Sequence, residues 1–377
     1  MQSTFSNALF EAARKHISLS ATRQETLGWL AFLIMRQGSV CLWRLAACVS
    51  SAAQTNSVRR RFYRFFQYVK LDGAMAARVV VDLLGLAGKP WMLAIDRTNW
   101  DFGKTVPAKA GINILMISVM WKGMGIPLIW TLLPSAGNSN TQTRICLLDR
   151  LHAAFPDLKI ASLLGDREFI GDKSMAYLKS REIPFILRLR ENQHAARAGY
   201  AAWMVKDIAR HLPRGGKMIV KGWCGLGDNA GPQSPAVRLV ILRLPTGELL
   251  ALACSGNPRG ALARYRCRWT IESMFANLKT GGFNMEDTHI TDPGKLSTLL
   301  AVLAIALALC VKTGVTAARL KPVPLKKHGR PAWSLCALGL SSLRKIFAAA
   351  DLRQSIVFLK HLFSPKLPLI PLKFMTL

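Results

Sequence analysis

The sequence predicts an α/β protein in which a helical N-terminal unit precedes a mixed sheet flanked by helices, with a β-rich insertion late in the sheet. Three observations carry this. Residues 1–88 read as helices from the spacing of their apolar residues. From Trp91 the period changes, and short apolar runs alternate with helical segments in the order β-β-β-α-β-α-β. Residues 191–260 differ again, with Gly215, Gly216, Gly225, Gly227 and Gly231 scattered among three further apolar runs.

In chain order, residues 24–45 have long helical spacing broken by Gly38. The following stretch, SSAAQTNSVRRRFYRFFQYVK, has Asn56 or Ser57 as a helix cap. It interleaves Arg59, Arg60, Arg61 and Arg64 with Phe62, Phe65 and Phe66, so the aromatics are expected inside and the arginines outside. That face is either a DNA-contacting helix of helix-turn-helix type or a basic solvated surface. Residues 84–90 mark a boundary. WMLAID, 112–121 and 126–134 read as strands, the last two a hairpin turning through Lys122-Gly123-Met124-Gly125. A helix over 141–155, a strand over 158–166, a helix over 172–180 and a strand over 183–190 follow. Runs at 217–223, 237–244 and 249–255 read as antiparallel strands around Pro245-Thr246-Gly247. The organisation expected is a helical unit over 1–88, a core over 89–190 and 261–315, an insertion over 191–260 and a basic C-terminal region over 316–377.

Composition narrows the function. With 377 residues, half of them hydrophobic, the chain can bury a large core. Lys and Arg number 51 against 21 Asp and Glu, a net charge of +30, which calls for a polyanionic partner: nucleic acid first, an anionic membrane surface second. The longest apolar run, 296–311, has sixteen residues between Lys295 and Lys312 and contains Ser297 and Thr298. A membrane span wants about 20 residues, so a buried core helix is expected, with no membrane partner. The first residues, MQSTFSNALFEAARKH, lack the pattern of a secretory signal, and none of the eight cysteines forms a CxxC pair. Buried reduced thiols in a cytoplasmic, nucleoid-associated protein are the expectation.

Residues 261–282 carry the densest chemistry. Tyr265, Arg268, Glu272 and Lys279 fall within a ~60° arc of one helix at ~100° per residue. Ile271, Met274, Phe275 and Leu278 line the neighbouring apolar stripe, and Gly281-Gly282 ends the helix. A carboxylate bracketed by cations suits a metal-bound phosphate, though Arg268 and Glu272 are also an ordinary i,i+4 salt-bridge pair. Two further acids decide between these readings: Asp96 in IDRTNW and Asp166 in GDREFIG each end an apolar run. Three convergent acids can hold two divalent cations for in-line phosphoryl displacement, a chemistry that needs no His or Cys. Asp101, Glu168 and Asp172 are rivals in the same loops.

These motifs resemble a bacterial insertion-sequence transposase of the DDE type, in the group marked by Tyr-(2)-Arg-(3)-Glu-(6)-Lys; Tyr265, Arg268, Glu272 and Lys279 match that spacing. IDRTNW is similar to the family's Asp-x-Thr-x-Trp, and GDREFIG to its Asp-Arg-x-Phe. The resemblance implies a ribonuclease-H-like core interrupted by a β-strand insertion, which accounts for the 106 positions between Asp166 and Glu272. It implies Asp96, Asp166 and Glu272 as catalytic and metal-binding residues. Mg²⁺, with Mn²⁺ as substitute, would be the cofactor. Tyr265, Arg268 and Lys279 would contact DNA, beside Arg59, Arg60, Arg61 and Arg64. Cut-and-paste cleavage at element ends, with terminal inverted repeats and target DNA as partners and a homodimer in the synaptic complex, follows from it. Trp203 and Trp223 are candidates in the insertion for holding a flipped base. A catalytically inactive DNA-binding descendant is the alternative.

Overall fold

The computed structural model describes residues 2–49, 53–100, 112–134, 137–197, 200–227, 234–327, 329, 331–348 and 362–363. Asp101, Gly231 and most of the basic C-terminal region beyond residue 348 lie outside the described residues.

Five helices open the chain: α1 (Gln2–Ala13), α2 (Ala21–Gln37), α3 (Leu42–Ala47), α4 (Thr55–Tyr68) and α5 (Gly73–Leu84). Gly38 ends α2 in the left-handed region (φ 67°), its N–H bonded to Ile34 O, which is where the apolar spacing breaks. Helix α4 begins earlier than Asn56 or Ser57 would place it. Gln54 stands at its cap position without a side-chain cap bond, and Val58, Phe62, Phe65 and Phe66 are its buried face.

The main sheet has eight strands in the order β3-β2-β1-β4-β5-β11-β10-β8. Strands β1 (Trp91–Trp100), β2 (Ile112–Trp121) and β3 (Met124–Leu133) form an antiparallel meander. The β2–β3 turn is the two residues Lys122-Gly123, both at positive φ, as a tight hairpin requires; Met124 and Gly125 already belong to β3. Helix α6 (Thr141–Ala154), capped by the Asn140 side chain, leads to β4 (Ile160–Gly165), and α7 (Asp172–Ser180) to β5 (Phe185–Arg188). Strands β1, β4 and β5 are mutually parallel neighbours. Alternation along β1 puts Ile95 on the face covered by α6 and α7, and Asp96 on the other.

Beyond β5, the expected insertion splits in two. β6 (His194–Arg197), β7 (Trp203–Met204) and β9 (Cys224–Leu226) make a small separate sheet, with the short α8 (Val205–Ile208) beside it. β8 (Lys217–Ile219), β10 (Arg238–Arg243) and β11 (Leu249–Cys254) instead extend the main sheet, β11 pairing antiparallel with β5. The stretch 261–280 is two helices, α9 (Ala261–Arg266) and α10 (Trp269–Leu278).

Helix α11 (Pro293–Leu320) is twelve residues longer than the apolar run inside it. It is long and apolar enough to cross a membrane, yet its most apolar window is wholly buried. Its polar residues are satisfied within the protein. Thr298 Oγ1 donates to Val69 O (3.1 Å) and accepts from Leu71 N (3.2 Å), and Ser297 Oγ accepts from Trp130 Nε1 (3.1 Å). α11 packs on α5, α2 and β3, so the N-terminal helices and the sheet share its core. α12 (Leu335–Ala348) crosses α11 at two glycines. Of the eight cysteines, all free, Cys224, Cys254, Cys310 and Cys336 are buried; Cys146 is exposed, contrary to the general expectation of burial.

The α11–α12 crossing yields a stability test. A Cβ on Gly339 would lie 1.8 Å from Cys310 O, and one on Gly314 1.9 Å from Leu335 O, so neither backbone can accept it without the helices separating. Gly339→Ala should lower the unfolding free energy by about 3 kcal/mol, the upper end for overpacking. Gly256→Ala, with no atom within 4 Å and ordinary φ, should stay within about 0.5 kcal/mol of the parent. Urea unfolding of both variants checks this.

Candidate active site

Two carboxylates meet because two strands pair in parallel. Ile95 of β1 is in register with Gly165 of β4, and Asp96 and Asp166 are the next residue on each chain. Asp166 follows the end of β4 and opens the 3₁₀ turn Arg167–Phe169. Asp96, expected at a strand end, is instead mid-strand: β1 continues to Trp100, because β2 goes on pairing with it as far as Trp100↔Ile112. Gly165 is needed at this level, since a Cβ there would lie 2.9 Å from the Leu187 side chain and 3.1 Å from Phe169.

Glu272 arrives from α10, which lies across the first half of the sheet. Gly125 of β3 permits the close approach, because a Cβ there would stand 2.7 Å from Thr270 O. The expected single helix is broken at Cys267-Arg268. Four bonds there span three residues, from Cys267 N to Arg264 O, Arg268 N to Tyr265 O, Thr270 N to Cys267 O and Ile271 N to Arg268 O. The tightened turn sets Arg268 at the head of α10, aimed at the sheet. Its Nη1 donates to Asp96 Oδ2 (2.8 Å) and its Nη2 to Glu272 Oε1, so one guanidinium joins the two acids. Arg268 is therefore held within the site and is not extended toward solvent. Its guanidinium also lies near the Tyr265 ring, 5.8 Å from the centroid. Lys279 follows α10, with Nζ donating to Asn99 O (2.7 Å) and 3.9 Å from Glu286.

Burial sets the electrostatics. It pushes the Asp96 carboxyl up to about 6, helped by the nearby Asp166 and Glu272 and opposed by the Arg97 backbone N–H and Arg268. Burial likewise pushes the Tyr265 phenol up to about 12, against the pull of Arg268. Burial of Arg268 disfavours its charge, but Tyr265, Asp96, Asp166 and Glu272 outweigh that and the net shift is upward. Asp166 Oδ1 is buried without a hydrogen-bond partner. Hard carboxylate oxygens, one of them orphaned, are the donor set a divalent cation takes. Among the described residues, however, no three His, Cys, Asp or Glu side chains stand close enough together to hold an ion. The Arg268 guanidinium stands between Asp96 and Glu272 and bonds to both.

The α4 arginines divide. Arg60 and Arg64 are exposed, as expected. Arg61 turns inward, bound to Glu25 (2.6 Å), Thr26 Oγ1 (2.8 Å) and Thr22 O (3.0 Å), and it lies 4.3 Å from the Trp29 ring centroid. Arg59 lies against exposed Trp43 and Tyr63, at 5.0 and 5.9 Å. In the insertion, Trp203 is exposed in β7, and Trp223 stands between Lys179 and Arg238 at 5.7 and 5.4 Å. Glu168 and Asp172 do not join the acidic site. Asp172 opens α7, and Glu168 forms ion pairs with Arg97 and Arg144 on the sheet's opposite face. Sequence reasoning missed these two arginines; Arg97 had one signal, its place directly after Asp96 in IDRTNW, and Arg144 in α6 had none.

No curated protein matches the sequence. Among solved structures, the chain aligns with piggyBac transposase from a cryo-EM synaptic complex with hairpin DNA, at 13% identity and a TM-score of 0.41, over 97% of this chain and 83% of that one. A family model described as "Transposase DDE domain" matches residues 87–309. That span is more than half of the chain and contains Asp96, Asp166, Tyr265, Arg268, Glu272 and Lys279, and the chain belongs to the DDE transposase family.

Proposed function

We propose that this chain is a DNA transposase of the Tyr-(2)-Arg-(3)-Glu-(6)-Lys group, cleaving element ends and transferring strands through Asp96, Asp166 and Glu272. The observation that carries it is the placement of Asp96 and Asp166 one step beyond the Ile95–Gly165 pair, with Glu272 tied to Asp96 through Arg268. Strands β1–β5 with α6, α7 and α10 are the ribonuclease-H-like core of this reading, spanning 89–190 and 261–315. The helices through residue 88 and the basic region 316–377 flank it.

The three carboxylates would hold divalent cations, Mg²⁺ or Mn²⁺. Such ions, when bound, activate the attacking oxygen and stabilise the leaving oxygen of a phosphodiester. The chain's own residues do the rest. Arg268 neutralises Asp96 and Glu272 until a stronger cation competes, and its fork is then available for a phosphate. Lys279, fixed on Asn99 O, presents a second cation at the edge of the same site. Tyr265, kept neutral by burial, supplies a phenol beside Arg268. Exposed Arg60 and Arg64 contact terminal repeats, and two copies of the chain hold two ends together. A second reading, a non-catalytic DNA-binding descendant, draws on the Arg268 bridge that occupies both Asp96 and Glu272. Metal-dependent nicking of element-end DNA separates the two.

Glu272→Gln should abolish strand cleavage while leaving DNA binding intact, because a neutral amide cannot offset two divalent charges at ~4 Å. Asp96→Asn and Asp166→Asn should match it, and the losses should not add. Mapping of cut ends beside gel-shift decides; wild-type cleavage by Glu272→Gln would overturn the triad.

DNA affinity should fall with a log–log salt slope of about −0.9 per phosphate neutralised. Arg60→Ala with Arg64→Ala should make that slope shallower by roughly 2. An unchanged slope removes α4 from recognition.

The Asp96 shift has a signed consequence for the metal-free protein. A carboxyl raised from 3.8 to about 6 stabilises the fold below the lower value, and that contribution is lost as pH rises through the upper one. Relative to Asp96→Asn, the parent should therefore lose about 2 kcal/mol between pH 4 and pH 7. Urea titrations in EDTA at steps across that range measure it.

A further inference from the structure

Glu168 carries four interactions on the face of the sheet opposite Asp96. Its Oε2 accepts from Arg97 Nε (3.2 Å), and its Oε1 accepts from Ser139 N and Ser139 Oγ (both 2.8 Å), with Arg144 Nη2 at 3.8 Å. Arg97 in turn reaches Asn113 Oδ1 on β2 (3.3 Å) and Asn138 Oδ1 (3.4 Å), while its backbone N–H donates to Asp96 Oδ1 (2.8 Å). Arg144 closes the ring from α6, donating to Ser139 Oγ (2.9 Å) and Ser139 O. Side-chain exposures of 20% for Arg97, 14% for Glu168 and 10% for Arg144 mean that these charges interact with little solvent screening.

The geometry points to Arg97 and Glu168 as positioning residues for the acidic pair, an inference that rests on the triad proposed above. Each sits close to the acid it serves. Arg97 follows Asp96, and Glu168 is two residues after Asp166 in the 3₁₀ turn. The ion pair joins the β1 backbone to that turn and fixes how far apart the two acids can move. The turn has two further ties, the buried Phe169 and a more exposed ion pair from Arg167 to Glu248 (3.2 Å), while Asp166 has no side-chain cap bond. Neither charge faces the acidic side of the sheet, so the pair acts through backbone placement, as outer partners of metal ligands do.

The test is Mn²⁺ binding by the full chain, followed by electron paramagnetic resonance, alongside unfolding midpoints and DNA gel-shift. The variants are Asp96→Asn, Glu168→Gln, Arg97→Gln and the double Arg97→Gln/Glu168→Gln. Glu168→Gln and Arg97→Gln should each weaken Mn²⁺ binding about 10- to 100-fold with DNA affinity unchanged. The double variant should be no worse than the poorer single one, because the pair is one unit. In cleavage assays kcat should fall with KM for DNA unmoved, and Arg97→Lys should recover part of the loss. If Glu168→Gln fails to fold, Arg97→Gln decides, since Glu168 there keeps Ser139 and Arg144. Mn²⁺ affinity within twofold of the parent in Arg97→Gln, with Asp96→Asn abolishing it, overturns the positioning role alone. Undiminished binding by Asp96→Asn overturns the triad and this role with it.

Discussion

The contact on which the candidate site depends is the Arg268 guanidinium, a cation bound at once to Asp96 and to Glu272. Its planar fork spans Asp96 on the sheet and Glu272 on the helix, an arrangement that a lysine point charge could not reproduce. Much of the surrounding structure serves that placement. Gly125 lets α10 lie close on β3, and the tightened turn at Cys267-Arg268 rotates the arginine inward. Tyr265, itself buried, lies beside it. Like-charge repulsion among the acids and the burial of Asp96 act in the same direction, both raising its carboxyl, while Arg268 opposes them.

How much of this was legible in the sequence depended on whether the determining contact was local. Helix α7 lies over the residues that its spacing marked, and α6 within one of them, because their starts are local: Asn140 caps α6, and the acidic Asp172 opens α7. Asp96 and Asp166 were recognisable as acids following apolar runs, yet the extent of β1 past Asp96 was not, since it depends on pairing with β2. The break between α9 and α10 leaves no trace in composition: no Gly or Pro stands between Ala261 and Thr280. It coincides with a bond from Thr270 Oγ1 to Cys267 O (2.8 Å) and with the reach of Arg268 to Asp96, 172 positions away. Arg61 was indistinguishable from its neighbours in α4 for the same reason, its partners being on α2.

The long helix α11 shows a related limit. Its apolar run invited a membrane reading, and its length meets that test, but the helices around it use the same surface as core. Thr298 and Ser297 bind the backbone of the α4–α5 link and the Trp130 side chain, and thereby fasten the N-terminal helices to the sheet. The two parts expected from the sequence as successive units are, in the fold, built around one shared element.

Strand β11 gives the long interval between Asp166 and Glu272 a different meaning. The chain leaves the core at the end of β5 and returns on β11, immediately beside it, with Arg188 in register with Leu252. Departure and re-entry points are neighbours in one sheet, so everything between them is a closed detour. Lengthening or trimming its outer part leaves the spacing of the acids unaltered, provided β10 and β11 stay paired. The small sheet of β6, β7 and β9 is thus a natural port for grafted sequence, whereas a single residue added within α9 would turn the arginine away from Asp96 by about 100°.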